Sequence, residues 1–304
     1  MRAGRPSRTA EQNAAFRAAE SARPPGVRLL NDPYAARLLP PGLRILAWIS
    51  SVPMVGGGLN WFVDTRWPGA RSSIIARTRL IDEWLCAAMR VGLEQVVLLG
   101  AGFDSRAWRL PAVAHARVFE VDHPSTSAEK RRRLANLGTD RAHVRFVPVD
   151  FDRQMPADGL AQAGFDSSQR AIVIWDGVTN YLQPEAVDAI TSRVGGLAEG
   201  GQFIFTYIHS GVLDGGMSFE GAAAVLKAVR RAGEPWTFGM HPDTVAPYLE
   251  QRGLRLLADL GADEYRRRVL GRRAQQIRGY GFYHAVLAEI RGANPIGSGR
   301  DGAA

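Results

Sequence analysis

The sequence predicts a doubly wound α/β fold on a mostly parallel, seven-stranded sheet with helices on both faces. Short apolar runs, mostly of β-branched and aromatic residues, match buried parallel strands and lie at 95–99, 118–121, 144–149, 171–175, 202–208, 254–260 and 282–290. Helical patterns at 127–137 and 185–198 separate some of these runs, which is typical of βαβ units. A glycine-rich turn at 100–102 directly follows the first run, where this fold opens its ligand crevice.

The chain before the first strand is expected to be largely helical. Residues 1–25 are polar and predict a flexible N-terminal arm, within which residues 10–20 could form one helix. Asp32, followed by a proline, is a helix-start signal within residues 27–39. Apolar residues at helical spacing predict a long helix over 72–89. These segments would form an N-terminal helical cap on the sheet.

Residues 26–291 are expected to form a single domain, and residues 292–304 a disordered tail. Two segments of the domain, 43–63 and 211–239, are predicted to cover the ligand crevice. The second is an insertion after the fifth strand, where the regular alternation of helix and strand is lost.

The stretch 45–63 carries no charged residue and approaches the length of a membrane span. It also contains Pro53 and three consecutive glycines, 56–58. These residues break a helix, and a lone span could not satisfy the freed backbone groups in lipid. We therefore interpret the stretch as two short apolar helices and predict no membrane partner.

Composition narrows the class of protein further. The 304 residues are 46% hydrophobic, which suffices for a full core. A net charge of +8 could indicate a nucleic-acid partner. However, the basic residues are nearly all arginine, they are scattered, and no aromatic residues alternate regularly with them, so we predict none. A single cysteine, Cys86, excludes an intramolecular disulfide and a Cys/His zinc framework, and the cytoplasm is the expected location.

Polar or glycine residues stand where four predicted strands end, and these ends meet at one edge of a parallel sheet. They are Gly100, Ala101 and Gly102, then Glu120 and Asp122, then Asp150 and Phe151, and then Asp176. About twenty residues after the turn, Asp122 can accept hydrogen bonds from both ribose hydroxyls of an adenosine cofactor. Its alternative role is a helix cap before Pro124. Asp150 beside Phe151 suits an adenine ring, which needs a polar contact and a flat apolar wall.

Taken with these strand ends, the chain resembles the bacterial members of the leucine carboxyl methyltransferase family, which are class I S-adenosylmethionine-dependent enzymes. The resemblance spans about residues 10 to 290. It is carried by Asn31-Asp32-Pro33-Tyr34-Ala35, Ala76-Arg77-Thr78-Arg79, Leu99-Gly100-Ala101-Gly102-Phe103-Asp104-Ser105-Arg106, Phe119-Glu120-Val121-Asp122-His123-Pro124, Val147-Pro148-Val149-Asp150-Phe151 and Asp176-Gly177-Val178-Thr179-Asn180-Tyr181-Leu182.

The resemblance implies S-adenosylmethionine as the cofactor and a Rossmann-like class I methyltransferase fold. Arg77 would pair with the methionine carboxylate, and Gly100 would pass close to the methionine part. Asp122 would hold the ribose, with Asp150 and Phe151 at the adenine. The position of Asp176, which contacts the cofactor's amino group, carries Glu in many members, so the shorter acid would weaken or re-aim that contact.

The expected reaction is O-methylation of a small, partly apolar metabolite of specialised metabolism. A carboxylate acceptor needs no base, whereas a hydroxyl acceptor does, and the candidates are Tyr181, Tyr207 and His209. Arg106 could hold an anionic acceptor or cap its neighbourhood. Aromatic residues of the two covering segments were expected around an apolar acceptor: Trp48, Trp61, Phe62, Phe219 and Trp236.

Three other functions stay open at the level of sequence. A nicotinamide-dependent oxidoreductase shares the strand–glycine–acid layout, but Ser105 stands where its fingerprint wants a third glycine or alanine. A non-catalytic nucleotide-binding protein would keep the same pocket. An RNA methyltransferase is suggested by charge alone.

Overall fold

The structure is a computed structural model that describes residues 8–50, 52, 58, 65, 69–135, 142–151, 154–275 and 278–292. In the described chain, helices pack on both faces of one sheet. The α-helices, numbered α1 to α11 in chain order, are Arg8–Ser21, Pro41–Ile49, Ala70–Arg90, Arg106–Arg109, Pro124–Leu134, Pro156–Gln162, Pro184–Gly195, Gly211–Asp214, Ala222–Ala232, Pro242–Glu250 and Ala262–Leu270.

The predicted seven-stranded, mostly parallel sheet is confirmed, with the strand order β3-β2-β1-β4-β5-β7-β6. The strands β1 to β7 are Gln95–Leu99, Arg117–Asp122, Val144–Pro148, Ala171–Trp175, Gln202–Ile208, Leu254–Gly261 and Tyr283–Ile290. β7 is antiparallel to both of its neighbours, β5 and β6. The strand order reverses between β1 and β4, which pair in parallel with Leu98 opposite Ile174.

Alternating side chains of the central strands feed two separate cores. Val96 and Leu98 of β1 pack on the side of α3, in a cluster with Leu80 and Leu85. Their neighbours Val97 and Leu99 point to the opposite face, into a cluster that contains Val187 and Ile190 of α7. Because both faces are covered, β1 and β4 are apolar at nearly every position, which is why they are visible in the sequence.

α3 confirms the long helix predicted over 72–89 and extends it to 21 residues. Its apolar stripe includes Ile75, Leu80, Ile81 and Leu85, all of which are buried. α11 packs beside it and also contacts β6 and β7.

The expected flexible arm is helical over residues 8–21, which form α1, and this confirms the helix predicted over 10–20. Ala14 and Ala18 of this helix are buried in the same core as α3. The apolar face of α1 consists largely of alanines, a weak signal in sequence, and the helix packs against α2 and α3.

The segments expected to cover the crevice are only partly described. α2 lies in the first of them, while Trp61 and Phe62 fall outside the described residues, as do residues 293–304 of the expected tail. The insertion after β5 contains α8 and α9. No helix in the described part of the chain has the length and apolar character needed to cross a membrane.

Candidate functional site

A cavity of about 350 Å³ lies at the carboxyl ends of β1, β2 and β4, where the strand order reverses. This is the expected position of a ligand in a doubly wound sheet, and its volume is within the range of small-molecule sites. It brings together all but three of the predicted site residues: Arg77, Gly100, Ala101, Gly102, Asp122, Asp150, Phe151, Asp176 and Tyr181.

The glycine-rich turn forms the floor of the cavity. Gly100 has a φ of +63°, and a Cβ there would lie 2.4 Å from Cγ2 of Val178. Gly102 has a φ of +45°, and its Cβ position is 3.2 Å from Cβ of Ala10 in α1. Backbone of this shape, with neighbours this close on both sides, requires glycine. The turn therefore stays narrow enough for a ligand to approach its backbone.

Asp122 stands at the end of β2 and faces the cavity. Its carboxylate accepts hydrogen bonds from the backbone N–H groups of Gly102 and His123, the second at 2.6 Å. Burial raises the pKa of Asp122, and the two backbone hydrogen bonds oppose the rise. The helix-cap role falls to His123, whose ring accepts from the Ser125 N–H at the start of α5. Asp122 thus has oxygen capacity left for a ligand.

The next strand end supplies the cavity wall beside Asp122. Val149 donates its N–H to the Asp122 carbonyl oxygen at 2.8 Å, which ties the end of β3 to the end of β2. Asp150 and Phe151 follow directly, and both are half-buried and line the cavity.

On the other side of the turn, Arg77 of α3 reaches Asp176 at the end of β4. The Arg77 Nε lies 2.9 Å from the Asp176 Oδ1, and the guanidinium sits 5.0 Å from the ring centre of Tyr283. Arg77 is 5% exposed. Burial lowers the pKa of Arg77, but the nearby Asp176 carboxylate outweighs it and the net shift is upward. Arg77 is therefore a fixed cation in the cavity wall.

Arg106 joins a chain of acids beneath the site. Its guanidinium contacts Asp82 at 2.9 Å, Asp104, and Asp176 at 3.3 Å. Arg109 holds the same Asp82 through a second pair of nitrogens at 2.7 Å. Burial raises the pKa of Asp104, yet Arg106 and two other cations bring it down to about 2. Asp104, which also lines the cavity, is a site residue that the sequence analysis missed.

α1 closes the cavity from above, a role that the sequence did not predict. Arg17 donates to the Asp32 Oδ2 at 2.9 Å and to the Phe103 carbonyl oxygen at 2.5 Å. Ser105 donates to the same Asp32 oxygen at 2.6 Å. Asp32 thus links the N-terminal helix to the chain that follows the glycine turn.

At the far end of the cavity, α1 also meets the insertion. The Thr9 hydroxyl donates to the Glu234 Oε2 at 2.6 Å, and both residues line the cavity together with Tyr181. Burial raises the pKa of Tyr181, so its phenol stays protonated near neutral pH. Tyr181 is the one predicted base candidate that lies at the cavity.

Glu120, predicted to bind the cofactor, is outside the cavity. It stands in the middle of β2 and is 1% exposed. Its Oε2 lies 2.7 Å from the Lys130 Nζ, and its Oε1 accepts from the Trp108 indole N–H at 3.2 Å. Both carboxylate oxygens contact these partners, which lie on one side of β2. Glu120, two residues before the end of the strand, therefore has a structural role.

Tyr207 and His209 are also outside the cavity, contrary to the expectation that they flank the acceptor. The Tyr207 side chain lies against β6 and β7. Its hydroxyl donates to Asp259 at 2.7 Å, and its ring stacks on His284. His209 accepts the Gly211 N–H on Nδ1 at 3.0 Å, which anchors the start of the insertion.

The expected aromatic lining is not observed in the described chain. Phe219 and Trp236 pack against Phe282 in a separate cluster beneath the insertion. Trp48 is 66% exposed. The cavity is instead lined by the apolar residues Ile74, Leu182 and Pro235, among others.

Comparison with known proteins identifies the family of this chain. The family model "Leucine carboxyl methyltransferase" matches residues 10–195. A "Putative S-adenosyl-L-methionine-dependent methyltransferase" of Mycolicibacterium gilvum is 37% identical over 222 residues, covering 71% of this chain and 69% of that protein. A relative of the same name from Mycobacterium bovis is 31% identical over 255 residues, covering 79% of each.

Solved structures show the same fold at low sequence identity. A "putative methyltransferase" from Thermobifida fusca superposes with a TM-score of 0.56 at 18% identity, covering 90% of this chain and 96% of that one. A DUF574 family protein from Streptomyces avermitilis also gives 0.56, at 13% identity, covering 84% and 96%.

These relationships decide against a nicotinamide-dependent oxidoreductase, and the buried Ser105–Asp32 bond fills the position where that class needs a glycine. The chain belongs to the leucine carboxyl methyltransferase family, and it is an S-adenosylmethionine-dependent methyltransferase of the class I fold.

Proposed function

We propose that this enzyme transfers the cofactor's methyl group to an oxygen atom of a small, partly apolar metabolite of specialised metabolism. The observation that supports it is that one cavity is lined by Asp122, by the Arg77–Asp176 pair and by Tyr181. We place the cofactor along the first two and the acceptor beside Tyr181. S-adenosylmethionine supplies an activated methyl group on a sulfonium, so the protein need only align the acceptor and exclude water.

The residues at the cavity fit this cofactor on chemical grounds. Asp122 is buried and accepts only backbone N–H groups in the described chain, so it has lone pairs available for ribose hydroxyls. Phe151 offers a flat apolar wall for adenine, and Asp150 a polar edge. Gly100 lets the methionine part approach the backbone. We assign the adenosine end of the cavity to Asp122, Asp150 and Phe151.

For the methionine end we assign Arg77 to the carboxylate and Asp176 to the ammonium group. Asp176 forms salt bridges with both Arg77 and Arg106. Because its side chain is one methylene shorter than that of Glu, its carboxylate stays close to these arginines. A cofactor carboxylate at Arg77 would relieve this sharing and free Asp176 for the ammonium. The Asp in place of Glu is thereby accommodated by a second arginine.

The acceptor end combines Ile74, Leu182 and Pro235 with the polar side chains of Thr9 and Glu234. This mixture favours a small molecule that is partly apolar and carries hydrogen-bonding groups. The cytoplasm stays the predicted location, on the single cysteine, and no nucleic-acid partner is proposed.

The direct test is calorimetric titration of the purified protein with S-adenosylhomocysteine, with NADH and NADPH as controls. We expect micromolar binding of S-adenosylhomocysteine alone. Asp122→Asn should weaken it at least tenfold because an amide cannot accept from two hydroxyls and from two backbone N–H groups. Asp158→Asn, the same change at an exposed carboxylate in α6, is the matched control and should bind like the wild type.

Two results would overturn the proposal. One is the absence of S-adenosylhomocysteine binding. The other is equal loss of affinity in the Asp122 and Asp158 variants, since that would remove the special role of the cavity carboxylate.

A further inference from the structure

The arginines of the cavity are already neutralised by carboxylates of this chain. Arg17 pairs with Asp32 at 2.9 Å, and Arg109 lies between Asp32 and Asp82. The remaining pairs are those of Arg106 with Asp82, Asp104 and Asp176, and of Arg77 with Asp176. Four arginines thus meet four aspartates, and all four arginines are less than a tenth exposed.

Among the described residues that line the cavity, this pairing leaves no arginine free for an anionic acceptor. Arg106, which the sequence analysis considered for that purpose, makes three carboxylate contacts and is 3% exposed. Arg77 is the position assigned to the cofactor's own carboxylate. Among the described residues that line the acceptor end, the charged group is Glu234.

Glu234 has the geometry of a recognition group. It is half-buried in the cavity wall, and Thr9 donates to its Oε2 at 2.6 Å, which fixes the orientation of the carboxylate. No cation within the described part of the chain lies at salt-bridge distance from it. An oriented carboxylate without a cationic partner is suited to a hydrogen-bond donor from outside the protein.

From this arrangement we propose that Glu234 selects the methyl acceptor by accepting a hydrogen bond from its ammonium or hydroxyl group. The acceptor is then a cationic or neutral hydroxyl compound, and a carboxylate acceptor is rejected. The Glu234 carboxylate would repel a carboxylate on the acceptor in a cavity that excludes water. An ammonium or hydroxyl group would instead donate a charge-assisted hydrogen bond, which is one of the stronger kinds of hydrogen bond. The inference rests on the proposed function, and it narrows the acceptor from an oxygen compound in general to a hydroxyl compound without negative charge.

The test uses three phenols that share one ring and differ in charge: tyramine, 4-ethylphenol and 4-hydroxyphenylacetate. Each is titrated into protein saturated with S-adenosylhomocysteine, so that only the acceptor end is free. We expect the affinity to fall in the order ammonium, neutral, carboxylate, with at least a tenfold gap between the first and the last. Methyl transfer from S-adenosylmethionine to the three phenols should follow the same order.

Glu234→Gln should remove most of that gap because it keeps the shape and removes the charge. Glu250→Gln, an exposed carboxylate at the end of α10, is the control and should keep the gap. S-adenosylhomocysteine should bind Glu234→Gln as it binds the wild type. This result separates the two proposals, since failure of the proposed function would appear as lost S-adenosylhomocysteine binding in the wild type.

The inference is overturned if 4-hydroxyphenylacetate binds as tightly as tyramine, or if the gap persists in Glu234→Gln. It is equally overturned if none of the three phenols binds the wild-type complex measurably.

Discussion

The buried pair of Lys130 and Glu120 gives a prediction that separates a structural role from a role in cofactor binding. Both side chains are 1% exposed, and the Nζ–Oε2 distance is 2.7 Å. The perturbation is Glu120→Gln, which keeps the shape and the acceptor for the Trp108 indole while leaving the Lys130 ammonium without its counter-charge.

The expected cost is about 3–5 kcal/mol of unfolding free energy, the range for removing one partner of a buried ion pair. Lys130→Met should cost less. Burial raises the pKa of Glu120, and Lys130 opposes that rise, so the acid can take up a proton once the ammonium is gone. An acid whose pKa is raised in the folded state binds more protons there than when unfolded. The unfolding free energy of Lys130→Met should therefore rise as the pH falls through the folded-state pKa of Glu120 and level off below the ordinary pKa of a glutamate.

Urea unfolding followed by tryptophan fluorescence measures these values. The double variant Glu120→Gln/Lys130→Met completes a cycle and should be at least about 2 kcal/mol more stable than the sum of the single changes predicts. Glu199→Gln, at an exposed site, is the control and should stay within about 0.5 kcal/mol of the wild type.

Cofactor affinity provides the refutation. Under conditions where Glu120→Gln is folded, S-adenosylhomocysteine should bind it within a few fold of the wild type. If the variant keeps its stability and loses that affinity, Glu120 contacts the cofactor and the structural reading is wrong.

Two further predictions concern stability. Gly100→Ala should lower the free energy of unfolding by about 2–4 kcal/mol, because it combines a positive φ with a Cβ 2.4 Å from Val178. Gly26→Ala, at a position where the space is open, should show almost no loss in urea unfolding. Equal losses in the two variants would contradict the reasoning. Burial and two neighbouring histidines lower the pKa of His209, so the neutral form that accepts the Gly211 N–H is favoured. The contribution of neutral His209 to the free energy of unfolding is present above about pH 6.5 and is lost as the pH falls through the folded-state pKa of His209. The free energy of unfolding of His209→Asn should therefore depend less on pH in this range. An unchanged pH dependence would exclude a stabilising role of neutral His209.

The strands and the adenosine end of the site could be predicted because their signal is local. A strand covered on both faces is mostly apolar, so the point where the apolar run gives way to polar residues indicates its end. Asp122, Asp150 and Asp176 each follow such an end, and the parallel topology alone brings them to one edge of the sheet.

Residues within a strand could not be assigned in the same way. Tyr207 belongs to β5, and the side of the sheet that it faces depends on which face each helix covers. Glu120 precedes Asp122 by two residues, yet its partner is a lysine one helix away. Neither relation is written in the neighbouring sequence.

The sequence predicted a helix over 10–20, but the position of α1 over the cavity was missed for a related reason. The contacts that hold α1 join residues far apart in the chain: Arg17 reaches Phe103, and Thr9 reaches Glu234. Its buried face is mostly alanine, so hydrophobic periodicity, the main sequence signal for a packed helix, is weak there.

The position of β7 between β5 and β6 bears on how the newly made chain reaches its final form. β7 pairs with β5 over seven residue pairs, 202–208 against 283–289, so the ribosome must release about eighty further residues before the hydrogen-bonding edge of β5 is covered. During synthesis that edge, which contains Phe203 and Phe205, is open to pairing with other nascent chains. A chaperone that covered this edge of β5 during synthesis would limit such pairing.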